Sequence, residues 1–341
     1  HPIQCCEDYA ALFKTLCLAM SELLKNIDAR TRLAGTNKIE ILMFALGNDT
    51  RTGRRETFGI NVFKVREVMR TPNITAAPDM PDSVEGMVSL RGALVPVVDL
   101  AKYVGMSTES RRDVMIVTEY NGHTQGFLVE SVDTILRLDW SQMRVPPEML
   151  TARMGGLVTA VTELADSRLV MMLDVERVLS ETTRYDDELL FKNIQPIDKN
   201  ALTVLFADAS SVARNQIQRT LELLGVKFAA AMNGRQAWDE LQKLAAYAES
   251  SGRRVRDLVS LVLTDVEMPE MDGYILTKKI KSDVRFEGVP VIMHSSLSGM
   301  SNQQLGRSVG VDEYVPKFEP QRLAETLRRR LSCEAQDEVA V

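Results

Sequence analysis

The chain has 341 residues, 41 Lys and Arg against 47 Asp and Glu for a formal net charge of −6, and 45% hydrophobic and 26% charged residues. This is ordinary globular composition with material for about two domains, and its negative balance argues against nucleic acid as a partner. No apolar run reaches the roughly 18 residues of a membrane span, the first residues lack the pattern of a secretory signal, and the four Cys form neither a metal-ligand pattern nor a disulfide framework. A cytoplasmic chain with no direct membrane insertion is expected.

Residues 1–37 read as an extension followed by a helix. The segment "MSELLKNIDARTRLAG" places Leu23, Leu24, Ile27, Leu33 and Ala34 at roughly helical spacing before Gly35. Met20 opens that segment and is a candidate start. Residues 1–19 show some helical periodicity and no clear partner.

Over 38–181 the pattern changes to short apolar or alternating runs between turn residues: "IEILMFAL", "FGINVFKV", "ALVPVVDL", "DVMIVTEY", "QGFLVESV" and "RLVMMLDV". "EYNGHT" sets Asn-Gly between two of them, a hairpin signal. Many short strands with frequent turns predict an all-β barrel or sandwich. This half offers no His/Cys/Asp/Glu cluster, no Gly-rich phosphate loop and no nucleophile–base pair. His123 and Asp133 lie in ordinary turn contexts.

Residues 182–200 are polar with one Pro and read as a linker containing a short helix. From 201 to 331 strand-like runs alternate with helical ones: "LTVLF", Val212–Leu224, "VKFAA", Gln236–Ala248, "LVSLVL", Ile275–Val284, "VPVIM", a short helix, "EYVP" and Arg322–Leu331. In the first helical run Ala213, Ile217, Leu221 and Leu224 share a face. Five strands alternating with helices predict a doubly wound parallel sheet, whose ligands sit at the carboxyl ends of its strands. Residues 332–341 form a tail.

Those strand ends carry the chemistry. The first delivers Asp208, the third Asp265 in "LVLTDVEMPEMDG", the fourth Ser295 and Ser296, the fifth Lys317. A strand-end Asp is most often only a cap, and a lone Lys is usually solvated. Two carboxylates, a hydroxyl and an ammonium at four ends of one sheet make a different case. Hard oxygen donors suit Mg²⁺, a carboxylate beside Mg²⁺ can attack a phosphoryl donor, and Lys317 with the Ser295 hydroxyl can hold the phosphoryl oxygens.

With these residues in place, 201–331 resembles the receiver domain of two-component response regulators, a flavodoxin-like α/β fold. The resemblance implies Asp265 as phosphoacceptor, Ser295 and Tyr314 as switch residues, Lys317 as phosphate ligand, and Asp208, Asp265 and the backbone carbonyl of Glu267 as Mg²⁺ ligands. The family usually carries a second acid after strand one, where this chain has Ala209, and a Pro after the lysine, where it has Phe318. The missing carboxylate implies weak Mg²⁺ binding.

Residues 38–181 resemble the CheW-like coupling domain of bacterial chemotaxis through "FGINVFKVREVM", "PDSVEGMVSLRGALVPVVDL" and "GFLVESVDTILRL". Two small β-barrels, no catalytic residues, and binding to chemoreceptor tips and the histidine kinase are implied, with Val65, Glu67 and Arg91 in the binding surface. For Arg91 a structural salt bridge is an equal reading. An apolar groove between the barrels is expected to take a helical receptor tip.

A CheW-like domain followed by a receiver resembles the CheV family of chemotaxis coupling proteins, and "LLKNIDARTRLAGTNKIEILMF" resembles that family's amino-terminal segment. The implied function is an adaptor at receptor arrays on the inner face of the membrane, tuned by aspartyl phosphorylation. A phosphorylation-independent scaffold is the near alternative. A phosphohydrolase of the haloacid dehalogenase type is remote, because "DASSV" lacks a second acid two residues after a strand-one nucleophile. No helix-turn-helix or basic face follows the receiver.

Overall fold

The computed structural model describes residues 37–120, 123–154, 156–182, 190–197, 202–296, 304 and 306–333. The helix expected near 20–35, residues 1–19, Asn121-Gly122, linker residues 183–189 and 198–200, residues 297–303, and tail residues 334–341 lie outside them; of the short helix expected after "VPVIM", residues 304 and 306–308 are described and helical. The chain divides into two compact units.

The first unit is built from β1 (Lys38–Asn48), β2 (Arg55–Asn61), β3 (Val65–Arg70), β4 (Val84–Leu90), β5 (Ala93–Asp99), α1 (Leu100–Tyr103), β6 (Val114–Tyr120), β7 (His123–Val129), β8 (Ser131–Asp139), α2 (Glu148–Arg153), β9 (Val158–Glu163), β10 (Leu169–Leu173) and α3 (Val175–Thr182). The strands form two five-stranded sheets, ordered β8-β1-β2-β10-β9 and β3-β6-β7-β5-β4. One apolar core joins them, with Leu42, Phe44 and Phe58 from the first sheet and Val65, Ile116 and Phe127 from the second. These two sheets correspond to the two β halves that the CheW-like resemblance implied.

Two local features differ from the sequence reading or refine it. The run "FGINVFKV" is not one strand. The Asn61 side chain accepts the Phe63 N–H at 3.0 Å and caps a single 3₁₀ turn, Val62–Lys64, which ends β2 and redirects the chain into β3. The predicted hairpin is present: Tyr120 pairs with His123, so two residues connect β6 and β7.

The second unit contains β11 (Thr203–Ala207), α4 (Ser211–Leu223), β12 (Lys227–Ala231), α5 (Gly234–Ser251), β13 (Leu261–Thr264), α6 (Gly273–Ser282), β14 (Val291–Ser295), β15 (Glu313–Pro316) and α7 (Pro320–Cys333). The sheet order is β12-β11-β13-β14-β15, and every pairing is parallel. Alternation along the strands separates the two faces. Val204 and Phe206 of β11 pack with Ile217 and Leu221 of α4 and Leu323 and Leu327 of α7. Leu205 and Ala207 pack with Ala237 and Leu241 of α5 and Leu276 and Ile280 of α6. Each buried Val, Leu, Ile or Phe among them contributes about 1.5–3 kcal/mol.

Part of the expected linker belongs to this packing. Ile197 is in the core on the α4/α7 face, its N–H donates to the Leu224 carbonyl at 2.9 Å, and the Arg219 guanidinium lies 4.2 Å from the centre of the Phe191 ring. Two apolar anchors in a polar stretch explain why these residues pack rather than run free.

Candidate functional site

The site lies at the carboxyl ends of β11, β13, β14 and β15, where the sequence placed it. Asp208 follows β11, and its N–H donates to the Ala231 carbonyl at 3.2 Å. Its Oδ1 accepts the Ser210 N–H at 2.8 Å, and the Ser210 hydroxyl in turn caps α4 by accepting the Ala213 N–H at 3.3 Å. Asp265 follows β13, anchored by its N–H on the Ala207 carbonyl at 2.8 Å, and its Oδ1 accepts the Val266 N–H at 2.7 Å. Both carboxylates thus hold backbone N–H groups in fixed directions.

Lys317 joins them. Its Nζ lies 3.0 Å from Asp208 Oδ2, 3.2 Å from Asp208 Oδ1 and 3.0 Å from Asp265 Oδ2. All three side chains are buried, so this is an enclosed ion triad, not the partly open cleft that an exposed metal site would have. Burying three charges is costly and is offset only by close pairing. The backbone fixes the lysine, since the Lys317 N–H donates to the Ser295 carbonyl at 3.2 Å. Phe318 follows with φ of +62°, a left-handed turn where the family usually has Pro.

Ser295 ends β14 and is fully buried. A hydrogen bond links it to Tyr314, whose hydroxyl is pushed up chiefly by burial, with the Ser295 contact acting against that rise. Tyr314 also packs beside Val266, Tyr274 and Met293. Ser295, Tyr314, Lys317, Asp208 and Asp265 are therefore one cluster. Glu267 is half-buried on the loop two residues after Asp265.

The loop after Asp265 is shaped by Asp272 and Gly273. A Cβ on Gly273 would stand 1.9 Å from the Asp265 carbonyl oxygen, so only glycine fits. Asp272 caps α6 by accepting the Ile275 N–H at 2.7 Å, and its burial pushes its pKa up to about 6.

The metal question turns on the donors. Among the described residues no group of three or more His, Cys, Asp or Glu side chains is placed to hold an ion. The Asp208 and Asp265 carboxylates with one main-chain carbonyl still make a hard oxygen set of the kind Mg²⁺ accepts, completed by water. A cation held there would compete with Lys317 for the same carboxylate oxygens.

Sequence reasoning missed Ser210 and Arg214. The "DASSVAR" stretch carries a cap signal for Ser210. Arg214 has none, because its Nη1 donates to the carbonyls of Asp208 and Ala209, both at 2.9 Å, a contact set by turn geometry.

In the first unit, the expected binding trio separates. Val65 is 2% exposed and belongs to the core, so it presents almost no side-chain surface to a partner; strand alternation alone would put it on the face of Glu67, and an irregularity in the register between the two residues separates them. Glu67 and Arg91 are accessible and form a salt bridge of 2.9 Å. Arg91 and Gly92, with φ of +51° and +84°, make the two-residue turn between β4 and β5.

Two family models match the chain. The CheW-like domain covers residues 40–183 and the response regulator receiver domain covers 204–328. Chemotaxis protein CheV3 of Helicobacter pylori is 30% identical over 286 residues, spanning 82% of this chain and 89% of that protein. The chain belongs to the CheV family of chemotaxis proteins. Chemotaxis protein CheV1 of the same organism is 25% identical over 92% of this chain and 99% of its own length. This CheV-family chain is a chemotaxis coupling adaptor with a receiver domain. Among solved structures, scaffolding protein TtCheW from Thermoanaerobacter tengcongensis is similar to 40% of the chain and 84% of its own length, at 27% identity and a TM-score of 0.35. Chemotaxis protein CheY4 of Vibrio cholerae matches 38% of the chain and 97% of its own length, at 26% identity and a TM-score of 0.31. No helix among the described residues is long and apolar enough to cross a membrane.

Proposed function

We propose that this adaptor couples chemoreceptor cytoplasmic tips to the chemotaxis histidine kinase at receptor arrays, without catalysing turnover of its own, and that phosphorylation of Asp265 tunes the coupling. The observation that carries the reading is the Lys317 ammonium, 3.0 Å from the carboxylates of both Asp208 and Asp265 at the carboxyl edge of the sheet.

In the proposed transfer an Asp265 carboxylate oxygen attacks the phosphorus of a phosphohistidine donor. The P–O bond forms as the P–N bond breaks, and the imidazole leaves with a proton from solvent. Lys317 moves its hydrogen bonds onto a phosphoryl oxygen and holds the new charge. Ser295 turns its hydroxyl from Tyr314 to another phosphoryl oxygen, which releases Tyr314 from that hydrogen bond and lets its ring shift against Val266, Tyr274 and Met293. Mg²⁺ held weakly by Asp208, Asp265 and the Glu267 carbonyl would supply further neutralisation of phosphoryl charge.

On the coupling half, Glu67 and Arg91 support a receptor- or kinase-binding surface, since both are accessible and charged and neither is needed by the core. A second reading, a scaffold that works without phosphate, is favoured by one feature: Ala209 in place of an acid. Incubation with the phosphorylated cognate kinase separates the two. Label on Asp265 supports the first reading, and its absence under saturating Mg²⁺ favours the scaffold.

A further inference from the structure

The turn between β11 and α4 carries a second cation beside the acid pair. Arg214, on the first turns of α4, sends one guanidinium nitrogen to two successive carbonyls, those of Asp208 and Ala209, at 2.9 Å each. Asp208 is the acid that Lys317 grips from the other side. Ala209 is the position where a receiver usually places its second acid. A cation at this turn therefore leans on the backbone at the point where a negative side chain is missing.

Charge counting gives the consequence. Asp208, Asp265, Lys317 and Arg214 sum to zero and the Glu267 carboxylate, which acts on Tyr314 and Tyr274, brings the set to −1, whereas an acid at 209 would leave it at −2. The guanidinium is hydrogen-bonded to the main-chain carbonyl of Asp208, the same residue whose carboxylate Lys317 holds. Asp208 and Ser210 are enclosed while Ala209 and Arg214 are partly exposed, so repulsion between the guanidinium and an incoming divalent ion is only partly screened by salt.

We propose that Arg214 sets the cation affinity of this pocket, holding it low by supplying from the protein the positive charge that a bound Mg²⁺ would otherwise bring. This rests on the reading of the cluster as a receiver site. It concerns ion binding alone, so it is testable without phosphotransfer. Arg214 acts through the Asp208–Ala209 turn and is a positioning and charge-setting residue. The hydrogen bonds and the charge make separable contributions. A Gln at 214 keeps an N–H donor for the carbonyls and removes the charge, while a Lys keeps the charge and loses the planar fork.

The experiment is Mg²⁺ titration of the full chain by calorimetry, with Mg²⁺-dependent thermal shift as a second readout, for wild type, Arg214→Gln, Arg214→Lys and Ala209→Asp/Arg214→Gln. Arg214→Gln is expected to bind Mg²⁺ about tenfold more tightly, equivalent to roughly 1.4 kcal/mol, and Arg214→Lys to stay near wild type. In the double variant the ion should bind more tightly still. Unchanged or weaker binding in Arg214→Gln with a folded domain overturns the proposal, as does equal tightening by Lys and Gln, or no binding in any variant. If Arg214→Gln does not fold, Arg214→Met, which keeps the apolar stem and removes the charge, takes its place, and no gain in affinity there overturns the proposal. Absence of label on Asp265 with the Mg²⁺ shift intact would remove the phosphorylation reading and leave this one standing.

Discussion

Lys317 Nζ stands 3.0 Å from Asp208 Oδ2, and both side chains are buried. With Asp265 on its other side, this lysine is the cation that makes two enclosed carboxylates tolerable. Lys317→Met is expected to lower stability at pH 7 by about 3–5 kcal/mol, the usual cost of stripping one partner from a buried ion group. Added Mg²⁺ should restore much of the loss, because the ion then has no competitor for the acid oxygens. Urea denaturation of both proteins with and without Mg²⁺ checks this. Equal stability of the two proteins without Mg²⁺ would contradict the triad's role.

Ala209→Asp restores the second acid. One more anion a few ångström from the ion is worth on the order of 1–4 kcal/mol at effective dielectrics of 80 to 20, about fivefold to several-hundredfold in affinity. The Ala209 side chain packs beside the α5/α6-face core, so the variant should be less stable than wild type without metal. Calorimetric titration with Mg²⁺ reads the affinity, and equal values would show that Ala209 does not limit the site.

The parallel-sheet unit was largely legible in the sequence. "EYVP" is β15, and Ala213, Ile217, Leu221 and Leu224 are all buried as the helical face required. The reason is physical: the central strands β11, β13 and β14 carry buried apolar runs and the helices between them are amphipathic, so the period switches. The first unit was harder. β4 and β9 mix polar and apolar residues at sheet edges, and neither stood out as a run. The break at Asn61 depends on one side chain capping one turn. The four strand-end residues of the site were legible, because topology brings them together whatever the loops do. The enclosure of Lys317 and the bond from Arg214 were not, since both depend on side-chain paths that spacing does not encode.

Arg91→Glu should weaken pull-down of receptor or kinase while leaving the domain folded. Arg91 is 69% exposed, and an exposed pair contributes only about 0–1 kcal/mol, so the melting temperature should move by no more than a few degrees. A Glu facing Glu67 reverses the local charge. An undiminished complex would remove Arg91 from the binding surface, and a melted domain would assign it to the fold.

Asp272 offers a test of burial. Its folded pKa, raised to about 6 from 3.8, means that the folded chain holds the proton more tightly than the unfolded chain. The contribution is therefore full below pH 3.8 and is lost as pH rises through about 6, by about 3 kcal/mol for two units. Asp272→Asn keeps the side-chain acceptor for the Ile275 N–H and removes the charge. It should be more stable than wild type at pH 7, with the difference closing toward pH 4. A difference that does not change with pH would contradict the raised pKa.

The central claim is that Asp265 accepts phosphate from the kinase. The most direct measurement incubates the full chain with the phosphorylated cognate histidine kinase and Mg²⁺, then locates the label by mass spectrometry after borohydride trapping of the acyl phosphate. The account predicts label on Asp265 in wild type, more rapid labelling in Ala209→Asp, and none in Asp265→Asn. An unlabelled Asp265 in both wild type and Ala209→Asp, with a kinase that phosphorylates a control receiver, would contradict it.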